Sequence, residues 1–82
     1  MLEDKVIEII TRQQKLEPGR VTLDSTFEEL GIDSLDGVNL LFAFEEEFAL
    51  SIPEHVAQQM KSVRQVAEGL RSLLAKGAAG KG

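Results

Sequence analysis

Gly31-Ile32-Asp33-Ser34-Leu35-Asp36-Gly37-Val38-Asn39-Leu40-Leu41-Phe42-Ala43-Phe44-Glu45-Glu46-Glu47-Phe48 is where the chain passes from a turn into an apolar, acid-rich helix. Asp33 is suited to cap the first turn by accepting a backbone N–H. That leaves Ser34 at the first helical position, with its hydroxyl in water beside unpaired N–H donors. A phosphodiester on Ser34 would lie in the positive end of the helix dipole. A hydroxyl so exposed, with no base beside it, is a poor nucleophile. The serine reads as an attachment point rather than a catalytic group.

The periodicity of this helix, expected over 34–49, divides its apolar residues into two arcs. At about 100° per residue, Leu40, Leu41, Phe44 and Phe48 fall together and form the core face. Leu35, Val38 and Phe42 form a second arc flanked by Asn39, Glu45 and Glu46. One helix of a small bundle cannot bury both arcs, so an apolar strip within an acidic rim is expected at the surface.

Three further helices follow from similar patterns. Leu2, Val6, Ile9, Ile10 and Leu16 recur near the helical period, acids early and Arg12 and Lys15 late, which predicts a helix over 2–16. Glu17-Pro18-Gly19-Arg20 reads as a turn. In the loop that follows, Ser25 and Thr26 each have a glutamate three residues on, which allows one short helical turn with Phe27 and Leu30 plugged into the core. Ile52-Pro53-Glu54 opens a short third helix over 54–60, with Val56, Ala57 and Met60 inward. Ser62 caps a fourth over 62–75, Gln65 completing a capping box, with Val63, Val66, Ala67, Leu70, Leu73 and Leu74 as its stripe. The expected fold is an all-α four-helix bundle with three longer helices and a short third, in one domain over 1–76, with 77–82 a disordered tail.

Eighty-two residues with 43% hydrophobic side chains suffice for one small core. No stretch is long and apolar enough to span a membrane, and the start lacks the basic and apolar regions of a signal peptide, so a cytoplasmic location is expected. Without cysteine, thiolate metal sites are excluded and any thiol chemistry is imported. The net charge of −5 is concentrated in one region. From Val21 to Met60 stand Asp24, Glu28, Glu29, Asp33, Asp36, Glu45, Glu46, Glu47 and Glu54, with no lysine or arginine. Such a segment repels nucleic acid and anionic membranes and attracts a basic partner.

Blander readings apply to several residues. Glu45-Glu46-Glu47 are neighbours whose side chains diverge along a helix, so they form a solvated face rather than a metal cage. His55 has no placed partners for a triad and reads as a surface residue. Ser34 lacks a nucleophile-elbow glycine pattern, and neither Asp24 nor Asp33 begins an EF-hand loop. No catalytic residue and no metal site is expected.

The ordered set Gly31 to Asp36, Val38, Leu40, Leu41, Glu45-Glu46-Glu47-Phe48 and Ile52-Pro53 resembles the acyl carrier protein family. The resemblance also takes in Ser25 to Leu30, the first helix and Val63 to Leu74. It implies 4′-phosphopantetheine, derived from coenzyme A, on Ser34, with Asp33 the helix cap next to the site. It also implies a carrier that presents acyl thioesters to fatty-acid, lipid or polyketide-type enzymes. A holo-acyl-carrier synthase or phosphopantetheinyl transferase would load it. Acyl-handling enzymes with basic docking patches would read Leu35, Asp36, Val38, Phe42, Glu45 and Glu46, and the domain would be monomeric. Gly37, Leu40, Leu41, Phe44 and Met60 would line an acyl pocket. The alternatives are a helical interaction module without a prosthetic group, its Leu35-Val38-Phe42 strip a helix-binding site, and a peptidyl or aminoacyl carrier. Asp33 before the serine favours the acyl type over the peptidyl type.

The chain departs from the family pattern at Gly37, where a larger residue is usual, at Asn39, where an acid is common, and in a third helix carrying His55, Val56 and Gln58. Fewer rim charges weaken docking to partners of bulk fatty-acid synthesis and favour a specialised carrier.

Overall fold

The structure, a computed structural model, describes residues 2–75. Four helices follow one another: α1 (Leu2–Gln13), α2 (Ser34–Phe48), α3 (Glu54–Ala57) and α4 (Val63–Ala75). The tail expected over 77–82 lies outside the described residues. None of the described helices is long and apolar enough to cross a membrane.

Two helices, α1 and α2, end where the backbone turns left-handed. α1 stops three residues before the expected Leu16, because Lys15 takes φ 55°. Its N–H then donates to the Arg12 carbonyl at 3.3 Å, and the Leu16 N–H to Thr11 at 3.0 Å, so the last carbonyls of the helix are satisfied. Leu16 thereby folds back half-buried instead of extending the stripe. α2 closes similarly at Ala49, φ 54°, with the Ala49 and Leu50 N–H groups both donating to Glu45. α3 is shorter than the expected 54–60. Beyond Gln58 the bonds tighten, Gln59 to Val56 and Met60 to Ala57, each three residues back. This tighter winding takes Met60 into the core and turns the chain toward α4.

Between α1 and α2 the loop is held by its own caps. The turn that the sequence allows at Thr26 forms. Thr26 Oγ1 accepts from the Glu29 N–H and Glu29 Oε1 from the Thr26 N–H, each at 3.1 Å. Gly31 at φ 74° closes it, with Ile32 N–H donating to the Phe27 carbonyl at 2.9 Å. Ser25, the other expected cap, instead accepts from the Thr22 N–H. The loop is then stitched to α4: Phe27 N–H donates to Lys61, Val63 N–H to Ser25 and Arg64 N–H to Leu23. The last two satisfy donors at the start of α4 that a helix cannot satisfy itself. Ser62 accepts from Gln65 N–H at 3.2 Å as expected, while Gln65 reaches back to the N–H of Lys61.

The core joins Val6, Ile9 and Ile10 of α1, Leu40 and Phe44 of α2, and Val63, Val66, Ala67, Leu70 and Leu73 of α4. Val21, Leu30, Ile32, Leu50 and Met60 close it from the connections. Leu74, expected in the stripe of α4, is exposed, since its bearing has rotated past the core. Arg71 pairs with Glu3 to join α4 to α1, Lys5 with Glu47 to join α1 to α2, and Arg64 with Asp24 to join α4 to the loop.

Candidate functional site

Asp33 does what its sequence position demands. With extended φ −89° and ψ −173°, it leaves the helix and turns its Oδ1 back to accept the Asp36 N–H at 2.9 Å. Ser34 is therefore the first residue of α2, and it is exposed. Among the described residues, none accepts from the N–H groups of Ser34 and Leu35. The site thus combines a free hydroxyl, two free N–H donors and the positive end of a fifteen-residue helix.

The two arcs of α2 separate as the periodicity requires. Leu40 and Phe44 are buried, and Leu41 and Phe48 are partly buried. Leu35, Val38 and Phe42 are 70%, 44% and 60% exposed, an apolar strip running from Ser34 along the helix. Asn39 and Glu46 are exposed beside it, and Asp36 is half-buried. Glu45 has a task that the sequence did not announce. Its Oε2 accepts the Ile52 N–H at 2.8 Å, which pins the α2–α3 connection. Glu47 turns toward Lys5. No group of carboxylates among the described residues converges as a metal site, and His55 lies exposed on α3.

Beside Ser34 opens a cleft of about 870 Å³. All five pocket candidates, Gly37, Leu40, Leu41, Phe44 and Met60, line it, as does Ser34 itself. Gly37 stands at the mouth, and a Cβ there would meet nothing within 4 Å. Sequence reasoning missed Phe27, Ile32, Ala57 and Val66 as lining residues. Apolar spacing marked Phe27, Ala57 and Val66 as core, but a core position and a cleft wall carry the same pattern, and Ile32 was read only as part of the motif before Ser34. The arrangement can place a phosphodiester at a helix start and an apolar chain within reach of it.

Comparison with known proteins agrees with this geometry. The family model described as the phosphopantetheine attachment site matches residues 4–70. The chain is 46% identical over 66 residues to an acyl carrier protein of Akkermansia muciniphila, covering 79% of this chain and 82% of that protein. To an acyl carrier protein of Amoebophilus asiaticus it is 41% identical over 76 residues, covering 92% and 95%. The crystal structure of an acyl carrier protein from Thermotoga maritima superposes with a TM-score of 0.78 at 29% identity, over 93% of this chain and 94% of that one. With the family model spanning most of its length, this four-helix chain belongs to the acyl carrier proteins, carriers rather than enzymes, whose cofactor is 4′-phosphopantetheine.

Proposed function

We propose that Ser34 is the attachment point of 4′-phosphopantetheine and that the cleft beside it shelters the acyl chain. The observation that carries this reading is the coincidence at one helix start of an exposed hydroxyl, free N–H donors and the mouth of an apolar cleft. The residues fit the group. Asp33 spends its carboxylate on Asp36 N–H rather than on Ser34, and the helix dipole favours a phosphate at that end. When bound, the group supplies a thiol on a flexible arm, on which an acyl chain is held as a thioester. The chain's own residues do the rest: Asp33 fixes the helix start, Ser34 presents its oxygen, and Leu40, Leu41, Phe44 and Met60 offer an apolar refuge from water.

Docking belongs to the strip of Leu35, Val38 and Phe42 with Asp36, Glu45 and Glu46 around it. A partner enzyme with a basic patch gains association rate from the acids and residence from the apolar contacts, so its loading rate falls as salt rises. Asn39 and the weakly acidic α3 leave the rim less charged, which suits enzymes of a specialised pathway. Glu45 also holds Ile52, so charge reversal at Asp36 or Glu46 is the cleaner probe of steering.

Intact mass before and after treatment with coenzyme A and a phosphopantetheinyl transferase tests the assignment. One added phosphopantetheine, mapped to the peptide holding Ser34 and lost in a folded Ser34→Ala variant, is expected. No mass increase would favour an interaction module without a prosthetic group, and modification of another serine would move the site.

A further inference from the structure

Met60 borders two clefts at once. It lies on the floor of the one that opens at Ser34, and it also lines a second, of about 610 Å³, bounded by Pro53, Val56, Gly69 and Leu73 between α3 and α4. Its side chain is 6% exposed. A Cβ added to Gly69 would stand 2.7 Å from Met60 Cε and 3.3 Å from Val56 Cγ1, inside van der Waals contact. Gly69 sits in the body of α4 with no left-handed torsion, so the backbone does not call for glycine there. A glycine in a helix interior weakens it relative to alanine. What this one provides is space, a recess that receives the methyl end of Met60.

Methionine suits a wall that must move. It is unbranched, turns about three side-chain bonds and packs against irregular surfaces without backbone shifts. With its end seated on Gly69, Met60 stands where a passage from the first cleft, lined by Leu40 and Phe44, to the second would have to run. Beyond it the second cleft has an apolar wall of Pro53, Val56 and Leu73 for a hydrocarbon to follow, opposite the polar His55, Gln59, Gln65, Glu68 and Ser72.

We propose that Met60 and Gly69 together set the length of acyl chain this carrier shelters. Met60 is a movable partition between the two clefts, and Gly69 is the recess that holds it aside, so that a long straight chain runs past Met60 into the α3–α4 cleft. The proposal rests on loading at Ser34.

Octanoyl, dodecanoyl and hexadecanoyl forms of the protein, of Gly69→Ala and of Met60→Ala, each confirmed by mass, are melted beside their own unacylated phosphopantetheine forms. For the natural sequence the rise in Tm on acylation should grow through the series. In Gly69→Ala the new methyl drives the end of Met60 back into the passage, so the gain should stop growing at a shorter chain. In Met60→Ala the wall is gone and the gain with hexadecanoyl should exceed that of the natural sequence. Gly69→Ala displaces the far end of a flexible side chain and presses more lightly on one methyl of Val56, so it decides the matter alone should Met60→Ala fail to fold. Loaded proteins with one and the same length profile would overturn the proposal, whereas a failure to load Ser34, read directly from the masses, would instead overturn the functional assignment on which it rests.

Discussion

Along α4, Val63, Val66, Ala67, Leu70 and Leu73 are buried in a common core with Val6, Ile9 and Ile10 of α1, while α3 buries none of its four residues. On the α1–α4 side the packing is closed, and Arg71 and Glu3 tie the two helices together outside it. On the α2–α3 side, a cleft opens, one arc of α2 faces water, and a single carboxylate, Glu45, holds the connection. Because burial on one side supplies the folding free energy, the other side need not be filled to stay folded. The two sides are not built from separate residues, for Leu40, Phe44, Met60 and Val66 belong to the core and also line the cleft, and α2 joins the two sides while its other arc faces water.

The contrast is broken most severely at Phe44, which is 1% exposed and belongs to both the core and the cleft floor. Phe44→Ala should cost about 3 to 5 kcal/mol. That is comparable with the whole stability of a domain this size, about 4 to 12 kcal/mol at typical values per residue. Phe42→Ala, two positions away on the exposed arc, should stay within about 0.5 kcal/mol of the parent while slowing loading by the transferase. Urea denaturation of the pair ranks them, and a reversed order would mean that α2 is rotated from the orientation described.

A smaller effect is expected at Glu45. Removing its carboxylate in Glu45→Ala frees the Ile52 N–H and should cost about 1 to 2 kcal/mol, a modest value because the bond is only part-buried. Amide exchange at Ile52 should accelerate ahead of exchange along α4. Equal protection in both proteins would show that the connection is held by other means.

Gly37 offers a change of opposite sign. Its torsion is helical and an added Cβ meets nothing, so Gly37→Ala should stabilise the unloaded domain by up to about 1 kcal/mol. In a domain this small that is a rise in Tm of about 4 to 8 °C. The new methyl stands at the cleft mouth, and the added stability on acylation should shrink. A fall in the Tm of the unloaded form would reveal strain at the start of α2.

The smallest effect concerns the closed face. The Glu3 carboxyl is held below the usual carboxylate range, first by its own backbone N–H at the start of α1 and then by the Arg71 guanidinium. A carboxylate whose folded pKa is depressed contributes its stability above the unfolded pKa and loses it as pH falls through the folded one. The midpoints of the natural protein and Glu3→Gln should therefore differ at neutral pH and converge in acid. A gap that persists in acid would assign the difference to packing rather than charge.

Much of this was legible in the sequence because it depends on near neighbours. Asp33 capping Asp36, Ser62 capping Gln65, Gly31 closing a turn and the two arcs of α2 all follow from spacings of a few residues. The boundaries that differed have local but context-bound causes: Lys15 and Ala49 adopt left-handed torsions usually left to glycine, and the chain winds tighter after Gln58 to carry Met60 inward. The rest depends on contacts between residues far apart. Nothing near Glu45 in the chain names Ile52 as its partner, and nothing beside Gly69 names Met60. The carbonyls of Ser25 and Leu23 that receive α4's first N–H groups are likewise invisible to any local pattern.

The stitching of that loop to α4 has a consequence in time. Helices α1 and α2 can begin to wind as soon as they are made, but the turn that delivers Gly31 and Asp33 to the head of α2 is anchored through Phe27 to Lys61 and through Ser25 to Val63. During synthesis these anchors arrive only after α3 has been made. A nascent chain therefore exposes the segment around Ser34 before the contacts that set the head of α2 can form, and that head is finished only when Lys61 and Val63 have been made.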